Sequence, residues 1–132
     1  MISELHLLLK NIHPHLSDEA YVFCTVQSPD PDSIIKLNPI CTFEEDEGLT
    51  LVLEKNAALK ANLQFNGVFK KITLRVHSSL EAVGLTAAVS TALASKGISA
   101  NVIAAYYHDH IFVPSGKAAI ALNILKSLSE RT

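Results

Sequence analysis

The chain has 132 residues, of which 48% are hydrophobic and 18% are charged, and its formal net charge at pH 7 is −2. This length and apolar content suit one compact domain or two small halves that share a core, and they exclude a disordered chain. The 11 basic residues are scattered, aromatic residues make up only 6% and tryptophan is absent, so we expect no nucleic-acid partner.

No part of the sequence predicts a membrane or secretory segment. The longest charge-free apolar stretch, residues 82–95, is shorter than the roughly 18–20 residues that a membrane-spanning helix needs. The N-terminus has no cationic segment before its short leucine run, so we expect no secretory signal. Cys24 and Cys41 lie in apolar, strand-like runs without CxxC spacing, which is typical of reduced, buried thiols. We therefore expect a cytoplasmic protein without a membrane partner.

The first half of the chain predicts a leading helix followed by strands. Apolar residues at helical spacing over residues 5–12, after a capping Ser3 and before Pro14, predict the helix. Residues 16–18 resemble a turn. The β-branched and aromatic run over residues 21–26 then predicts the first strand.

A proline-rich loop is predicted next, at residues 28–32, and it leads into the connection at Ile34 and Ile35. Strands over residues 40–43 and 49–54 form a hairpin with an acidic tip, and a short helix over residues 56–63 follows. The first half thus has the order β-loop-β-β-α, with its first helix reduced to a loop.

The second half shows clearer periodicity. Alternation over residues 71–76 predicts a half-buried strand, and apolar residues at helical spacing over residues 85–93 predict a helix that ends with Gly97 at the C′ position. A strand over residues 101–107, a tight connection at residues 108–110 and a strand over residues 111–114 follow. Ser115 caps the last helix, so the order is β-α-β-β-α.

The two halves therefore share an order of elements but little sequence identity. Each is one strand short of the split βαβ, ferredoxin-like fold, so they are expected to lend strands to each other or to another chain. We predict an α/β (α+β) protein of βαββα halves, with antiparallel sheets and helices on one face. The expected halves are residues 1–66, which include the leading helix, and residues 67–132.

Residues 81–103 resemble the ACT domain, a small ligand-binding module of amino-acid metabolism, as found in the regulatory ACT pairs of aspartate kinases. The shared pattern is an acidic or polar residue three positions before a glycine, an apolar residue after that glycine, and a helix that ends in small residues and Gly-Ile. The matching residues are Glu81, Gly84, Leu85 and Gly97-Ile98. Residues 105–114 are similar to small uncharacterised bacterial proteins made of two ACT-like halves, and to paired-ACT arginine sensors of animal cells. The resemblance extends over residues 69–128 and is weak over residues 1–63.

A ligand site is predicted where the strand after residue 76 leads into the next helix. A loop that enters a helix at Gly84 exposes free backbone N–H groups beside the positive end of the helix dipole, and such groups attract a carboxylate. Gly84 allows close approach of a ligand to the backbone. Acceptors for an ammonium group can come from Glu81, Ser99 or Asn101, or from carbonyl groups of the following strand.

The resemblance assigns further residues to this site. It implies that Val83, Gly84, Leu85 and Thr86 form the effector loop. It also implies ligand contacts at the start of the following strand, from these residues: Ser99, Asn101 and Ile103. Aspartate kinases usually have an asparagine at the position of Ser99 and commonly an acidic residue at the position of Asn101. Because this chain differs at both positions, its effector need not be lysine or threonine. The alternative is that Gly84 forms a turn without a ligand and Thr86 only satisfies a first-turn N–H group.

The triplet His108-Asp109-His110 is a second candidate site, because its side chains can ligate a metal. Adjacent strand positions point to opposite faces, and a metal site needs three or four convergent ligands. Three other histidines can join only if the fold brings them near: His13, His15 and His77. A turn or an interface is an equally ordinary place for the triplet. We expect no bound metal and no cofactor.

The sequence contains no phosphate-binding loop, nucleophile elbow or buried carboxylate pair, and the acidic run 44–47 is typical of a solvated hairpin tip. We predict a non-enzymatic regulatory or sensor protein that binds a free amino acid or similar small effector. It is expected to form a homodimer or higher homo-oligomer and to act through a regulated protein partner or through ligand-dependent assembly. Two alternatives stay open: a metal-dependent enzyme built on the histidine triplet, and a purely structural dimerisation module.

Overall fold

The computed structural model describes residues 4–76 and 83–131. Its helices and strands follow in the order α1 (Glu4–Lys10), β1 (Pro14–Val26), α2 (Pro31–Leu37), β2 (Cys41–Glu45), β3 (Gly48–Glu54), α3 (Lys55–Lys60), β4 (Phe69–Leu74), α4 (Leu85–Ala94), β5 (Asn101–Ala104), β6 (Asp109–Pro114) and α5 (Ala118–Arg131). The predicted α+β class with antiparallel, ferredoxin-like strand arrangement is confirmed. The chain divides into two compact units, of which the first comprises residues up to Asp18 and from Lys70 onward, and the second comprises Glu19–Phe69.

In the first unit, the strand order is β1-β4-β6-β5, with β1 contributing its first residues. The inward side chains of the two central strands are Ile72, Leu74, Ile111 and Val113. They pack on these buried residues of α1, α4 and α5: Leu9, Leu85, Val89, Leu93, Ala121 and Leu125. The helices thus cover one face of this sheet, and the beginning of β1 supplies the fourth strand that the β-α-β-β-α order lacks.

In the second unit, β3 lies between β2 and β1 and pairs antiparallel with both. A small core, fully or nearly excluded from water, consists of Val22, Cys24, Leu51, Leu53 and Ala58. Ile34 and Leu37 of α2 pack against it. On the unit's sheet, Phe23 also meets Phe69 edge to face, with ring centroids 5.4 Å apart.

The prediction that the first helix of the N-terminal half is reduced to a loop is wrong, because α2 occupies residues 31–37. The side chain of Asp30 accepts hydrogen bonds from the backbone N–H and the hydroxyl group of Ser33, at 3.2 and 2.8 Å. Pro31 stands at the first helical position, where its missing N–H removes no helical bond. Asn38 ends the helix in the left-handed conformation, with φ of 50°. The proline-rich segment is therefore a helix start.

The cap at Asp30 makes a direct stability prediction. Asp30→Ala should lower the free energy of unfolding by about 1 kcal/mol, because two donors at the start of α2 lose their acceptor. Urea unfolding measures the change. Asp32→Ala is the matched control, since Asp32 lies in the same first turn without this capping role and should cost only a few tenths of a kcal/mol. Equal losses in the two variants would contradict the capping role.

The turn predicted at residues 16–18 is also wrong, since β1 continues through it. Ser17 is 7% exposed, and its hydroxyl oxygen accepts the backbone N–H of Lys71 at 3.1 Å. Leu16 packs on the core of the first unit. A hydrogen bond to a residue far along the chain and a long-range apolar contact therefore extend the strand.

The other boundaries differ by a few residues. Strand β5 ends at Ala104 rather than at residue 107, and β6 already begins at Asp109. A turn of 3-10 helix, Ser115–Lys117, precedes α5, so Ser115 does not cap that helix directly. Ser3, predicted as the cap of α1, lies outside the described residues. None of the helices within residues 4–76 and 83–131 is long and apolar enough to cross a membrane.

Gly97 follows the end of α4 at the C′ position, as the sequence predicts. This residue has φ of 72°, a conformation that suits glycine, and the N–H of Ile98 donates to the carbonyl oxygen of Leu93 at 3.1 Å. That bond, with Ile98 and Leu93 both buried in the same core, is the closing contact of a Schellman motif. The role predicted for Gly97 is confirmed.

Candidate functional site

The start of α4 is a helix N-terminus whose N-cap residue is a glycine. Gly84 occupies the N-cap position with φ of 98° and ψ of −18°, and as a glycine it has no side chain that could accept a hydrogen bond from the helix. The first intrahelical bond runs from the N–H of Ala88 to the carbonyl oxygen of Gly84, at 2.9 Å. By helix geometry, the N–H groups of residues 85–87 precede that bond and have no intrahelical acceptor. They form an array of donors at the positive end of a ten-residue helix.

The predicted effector-loop residues differ in their exposure. Val83 is 87% exposed, Thr86 is exposed, and Leu85 is buried in the core with 3% exposure. Gly84 lies against α1, since a Cβ atom built on it would stand 3.1 Å from Cδ2 of Leu5. Leu85 therefore anchors the helix, whereas Val83 and Thr86 present themselves to solvent. Glu81, the remaining member of this set, lies outside the described residues.

The predicted residues of the following strand lie at and before β5. Ser99 and Asn101 are exposed, and Ile103 is half-buried. The side-chain amide of Asn101 donates to the carbonyl oxygen of Phe112 at 3.3 Å, and Ile103 pairs with His110 across the two strands. The residues at the start of α4 contact α1, whereas those of β5 contact β6. The described contacts thus bring Asn101 and Ile103 together on the sheet, but they do not join them to Gly84.

The strand pairing also assembles a polar cluster that sequence periodicity did not reveal. Oγ1 of Thr73 on β4 lies 2.9 Å from Nδ1 of His110 on β6, and both side chains are buried or half-buried. Burial, together with the nearby Lys71 and His108, lowers the pKa of His110, while Asp109 acts in the opposite direction. Nδ1 of His108 is buried and has no hydrogen-bond partner among residues 4–76 and 83–131. Only the pairing of β4 with β6 brings residues 71–73 to the histidine triplet.

Within the described ranges, no group of three or more histidine, cysteine, aspartate or glutamate side chains could hold a metal ion. His13 and His15 do not form such a group with the triplet, and His77 lies outside those ranges. The metal-enzyme alternative therefore has no third ligand among the described side chains. Cys24 is buried as predicted, burial raises its pKa, and Cys41 is half-buried; both are free thiols.

Three surface grooves lie elsewhere on the two units. One, of about 620 Å³, is lined in the second unit by side chains that include Phe23, Glu45 and Phe65. Another, of about 430 Å³ in the same unit, runs along α2 and α3 beside Lys36 and Lys60. The third, of about 290 Å³, lies between α4 and α5 in the first unit. None of the predicted ligand residues lines these three grooves.

Family models agree with this arrangement of elements. A model of the ACT domain matches residues 2–70, and a second ACT-domain model matches residues 69–127. The chain belongs to the ACT-domain family. It is a tandem ACT protein, and the resemblance seen in residues 81–103 is confirmed. ACT domains are typically regulatory and non-catalytic; they bind small-molecule effectors such as amino acids and often oligomerise.

Solved structures extend the comparison of this ACT protein. It is 55% identical to a protein of unknown function from Vibrio cholerae, named a possible transport protein, over 93% of this chain and 94% of that one, with a TM-score of 0.86. A protein from Agrobacterium tumefaciens is 15% identical over 84% of each chain, with a TM-score of 0.69.

A third similar structure is the ligand-free regulatory subunit of aspartate kinase from Thermus thermophilus. It is 12% identical over 87% of this chain and 95% of that one, with a TM-score of 0.58. At such identities the Agrobacterium and Thermus structures share only the fold. No match was found among curated proteins.

Proposed function

We propose that this tandem ACT protein is a non-catalytic regulatory sensor whose effector is a free amino acid. Its binding residues would be Val83, Gly84, Leu85 and Thr86 at the start of α4, with Ser99 before β5 and Asn101 and Ile103 on β5. Glu81 remains part of the proposed set on the resemblance alone. The observation that supports the proposal is the start of α4, where the N-cap residue is a glycine and so offers no side-chain acceptor of its own to the first-turn donors.

The chemistry of an amino acid suits these residues. Its carboxylate can accept hydrogen bonds from the N–H groups of residues 85–87, beside the positive end of the helix dipole. Its ammonium group needs acceptors, which the hydroxyl group of Ser99, the amide oxygen of Asn101 and the backbone of β5 can supply from a second copy of the chain. Within one chain the ten-residue helix α4 separates these residues from the N–H groups by about 15 Å. The exposed Val83 offers an apolar surface that a ligand can cover. We propose the two ACT halves as residues 1–66 and 67–132, acting as a homo-oligomer on a protein partner.

Binding of the twenty amino acids is the first test, by thermal shift on the full chain. An effector present at 100 times its Kd should raise the free energy of unfolding by about 2.7 kcal/mol. We expect one amino acid, or one chemical class of them, to raise the melting temperature in a concentration-dependent way. The absence of any shift with all twenty would overturn the proposal.

A backbone substitution locates the site. Thr86→Pro removes one N–H donor from the first turn of α4, whereas Thr86→Ala shortens the side chain and keeps that donor. We expect the effector to bind Thr86→Ala with nearly unchanged affinity and to lose about tenfold in affinity for Thr86→Pro. Circular dichroism of both variants checks that α4 still forms. Equal affinity of two folded variants would place the carboxylate elsewhere.

A further inference from the structure

The groove of about 620 Å³ on the second unit is lined by residues of β1, β2 and β3 and by the segment 64–66. Thr25 and Thr50 are directly paired across β1 and β3, and both line it. Their neighbours Cys24 and Leu51 point into the small core, so the two threonines stand on the opposite face of the sheet. The volume lies within the range of small-molecule sites, about 300–1,000 Å³. The proposed effector residues belong to the first unit, so this groove is a separate candidate.

Among the described residues that line this groove, Glu45 is the only charged one. The hydroxyl group of Thr50 donates a hydrogen bond to Oε1 of Glu45, and this bond positions the carboxylate at the groove. A carboxylate offers about four acceptor positions on its two oxygens, so the bond from Thr50 leaves capacity for a donor on a ligand. Because the described lining holds a carboxylate and no basic side chain, the groove suits a cation.

The charge of the whole second unit reinforces this preference. Residues 19–69 carry eight acidic side chains and three lysines, a net charge of −5, whereas the full chain has a net charge of −2. Four of the eight acidic residues form the run 44–47, which joins β2 to β3 and includes Glu45. Two of the lysines, Lys36 and Lys60, line the other groove of this unit, along α2 and α3. The resulting field attracts a cation and repels a ligand carboxylate, so we expect no free amino acid in this groove.

Two phenylalanines give the same groove an aromatic surface. Phe23 and Phe65 both line it and are half-buried. The edge-to-face contact with Phe69, at 5.4 Å between ring centroids, holds the ring of Phe23. Aromatic rings pack against an alkyl chain, and their π faces also attract a nearby cation. Aromatic rings beside a carboxylate therefore favour a ligand that joins a positive charge to an apolar chain.

We propose that this groove binds an organic cation with a short apolar chain, such as an alkyl ammonium group. Glu45 is its counter-ion, and Phe23 and Phe65 contact the chain. The ammonium group can belong to a free amine or to a lysine side chain of a protein partner, since both present the same chemistry. This site goes beyond the proposed function, because it lies on the other unit and takes a ligand without a carboxylate.

A matched pair of ligands tests the inference on the unmodified full chain. NMR titration compares 1-aminopentane with 1-pentanol, which share an alkyl chain and differ in charge. We expect the amine to bind about fivefold more tightly and to shift the amide signals of residues 23–25, 45, 50 and 64–66. Added salt should weaken binding of the amine and hardly affect the alcohol. Nα-acetyl-L-lysine N-methylamide is the second cation: if it binds more tightly than 1-aminopentane, the natural ligand is a lysine side chain, and if more weakly, a free amine.

Two variants of β2 assign the preference to one carboxylate. Glu45→Gln should abolish the preference for the amine over the alcohol. Glu44→Gln makes the same change in net charge on the opposite face of the same strand, so it should keep most of the preference. Melting temperatures show that both variants are folded. Equal affinity for amine and alcohol, binding of neither, signal shifts confined to other residues, or equal effects of the two variants would each overturn the inference. None of these results bears on the proposed effector at the start of α4, which the amino-acid screen tests separately.

Discussion

Replacing Leu125 with alanine should lower the free energy of unfolding by about 2–5 kcal/mol. Leu125 lies on α5 with no exposed surface, inside the core of the first unit. The truncation removes apolar contacts and leaves a cavity in the core that α5 shares with α1, α4 and β6, and the tightly packed surroundings can close it only in part. Urea unfolding of the full chain, followed by circular dichroism, measures the loss as a lower transition midpoint.

Ile120 provides the control on the same helix. Its side chain is 56% exposed, so Ile120→Ala should change the free energy of unfolding by no more than about 0.5 kcal/mol. Both substitutions shorten an aliphatic residue of α5 to alanine, and helix propensity therefore contributes nearly equally to the two. Similar losses of unfolding free energy in the two variants would show that Leu125 does not face the core of the first unit.

The fold could be predicted from sequence where a local pattern determines an element. Helix α4 is an example, because the apolar spacing of residues 85–93 and Gly97 specify both its buried face and its end. Helix α2 is the counterexample: its prolines favour a loop by composition, although Asp30 and Pro31 together form a helix start. The signal for α2 was present in the sequence, as an N-cap residue followed by proline at the first helical position.

Other features depend on contacts between distant residues, and no local pattern contains them. Strand β1 passes through Ser17 because the N–H of Lys71 reaches that hydroxyl group. The pair of Thr73 and His110 likewise depends on β4 lying beside β6, and these residues are 37 positions apart. The sequence therefore indicated the histidine triplet as a chemical feature, but it could not show which neighbours the triplet has.

The same distinction applies to the candidate ligand residues. The pattern of residues 81–85 predicts that the loop enters α4 at a glycine. Gly84 is the N-cap of that helix, and its left-handed conformation suits a glycine. Its contact with Leu5 joins the leading helix to the start of α4, and nothing in residues 1–12 indicates that contact locally. Helix α1 is thus part of the surroundings of the proposed effector loop, and the packing of Leu5 makes Gly84 important for stability.

Gly84→Ala should therefore be among the most destabilising single substitutions at a glycine of the first unit. The φ of 98° is costly for any residue with a Cβ atom, by about 1–2 kcal/mol, and the new methyl group would stand 3.1 Å from Cδ2 of Leu5. We expect a total loss of about 2–3 kcal/mol in the free energy of unfolding, measured in urea.

Gly97→Ala separates the two causes of that loss. Gly97 also has positive φ, of 72°, but a Cβ atom there would meet nothing within 4 Å. Gly97→Ala should therefore lower the free energy of unfolding only by the backbone strain, about 1–2 kcal/mol. Leu5→Ala combined with Gly84→Ala completes a double-mutant cycle, in which relief of the crowding should make the double variant more stable than the sum of the two single losses predicts. Strict additivity would mean that α1 does not rest on Gly84.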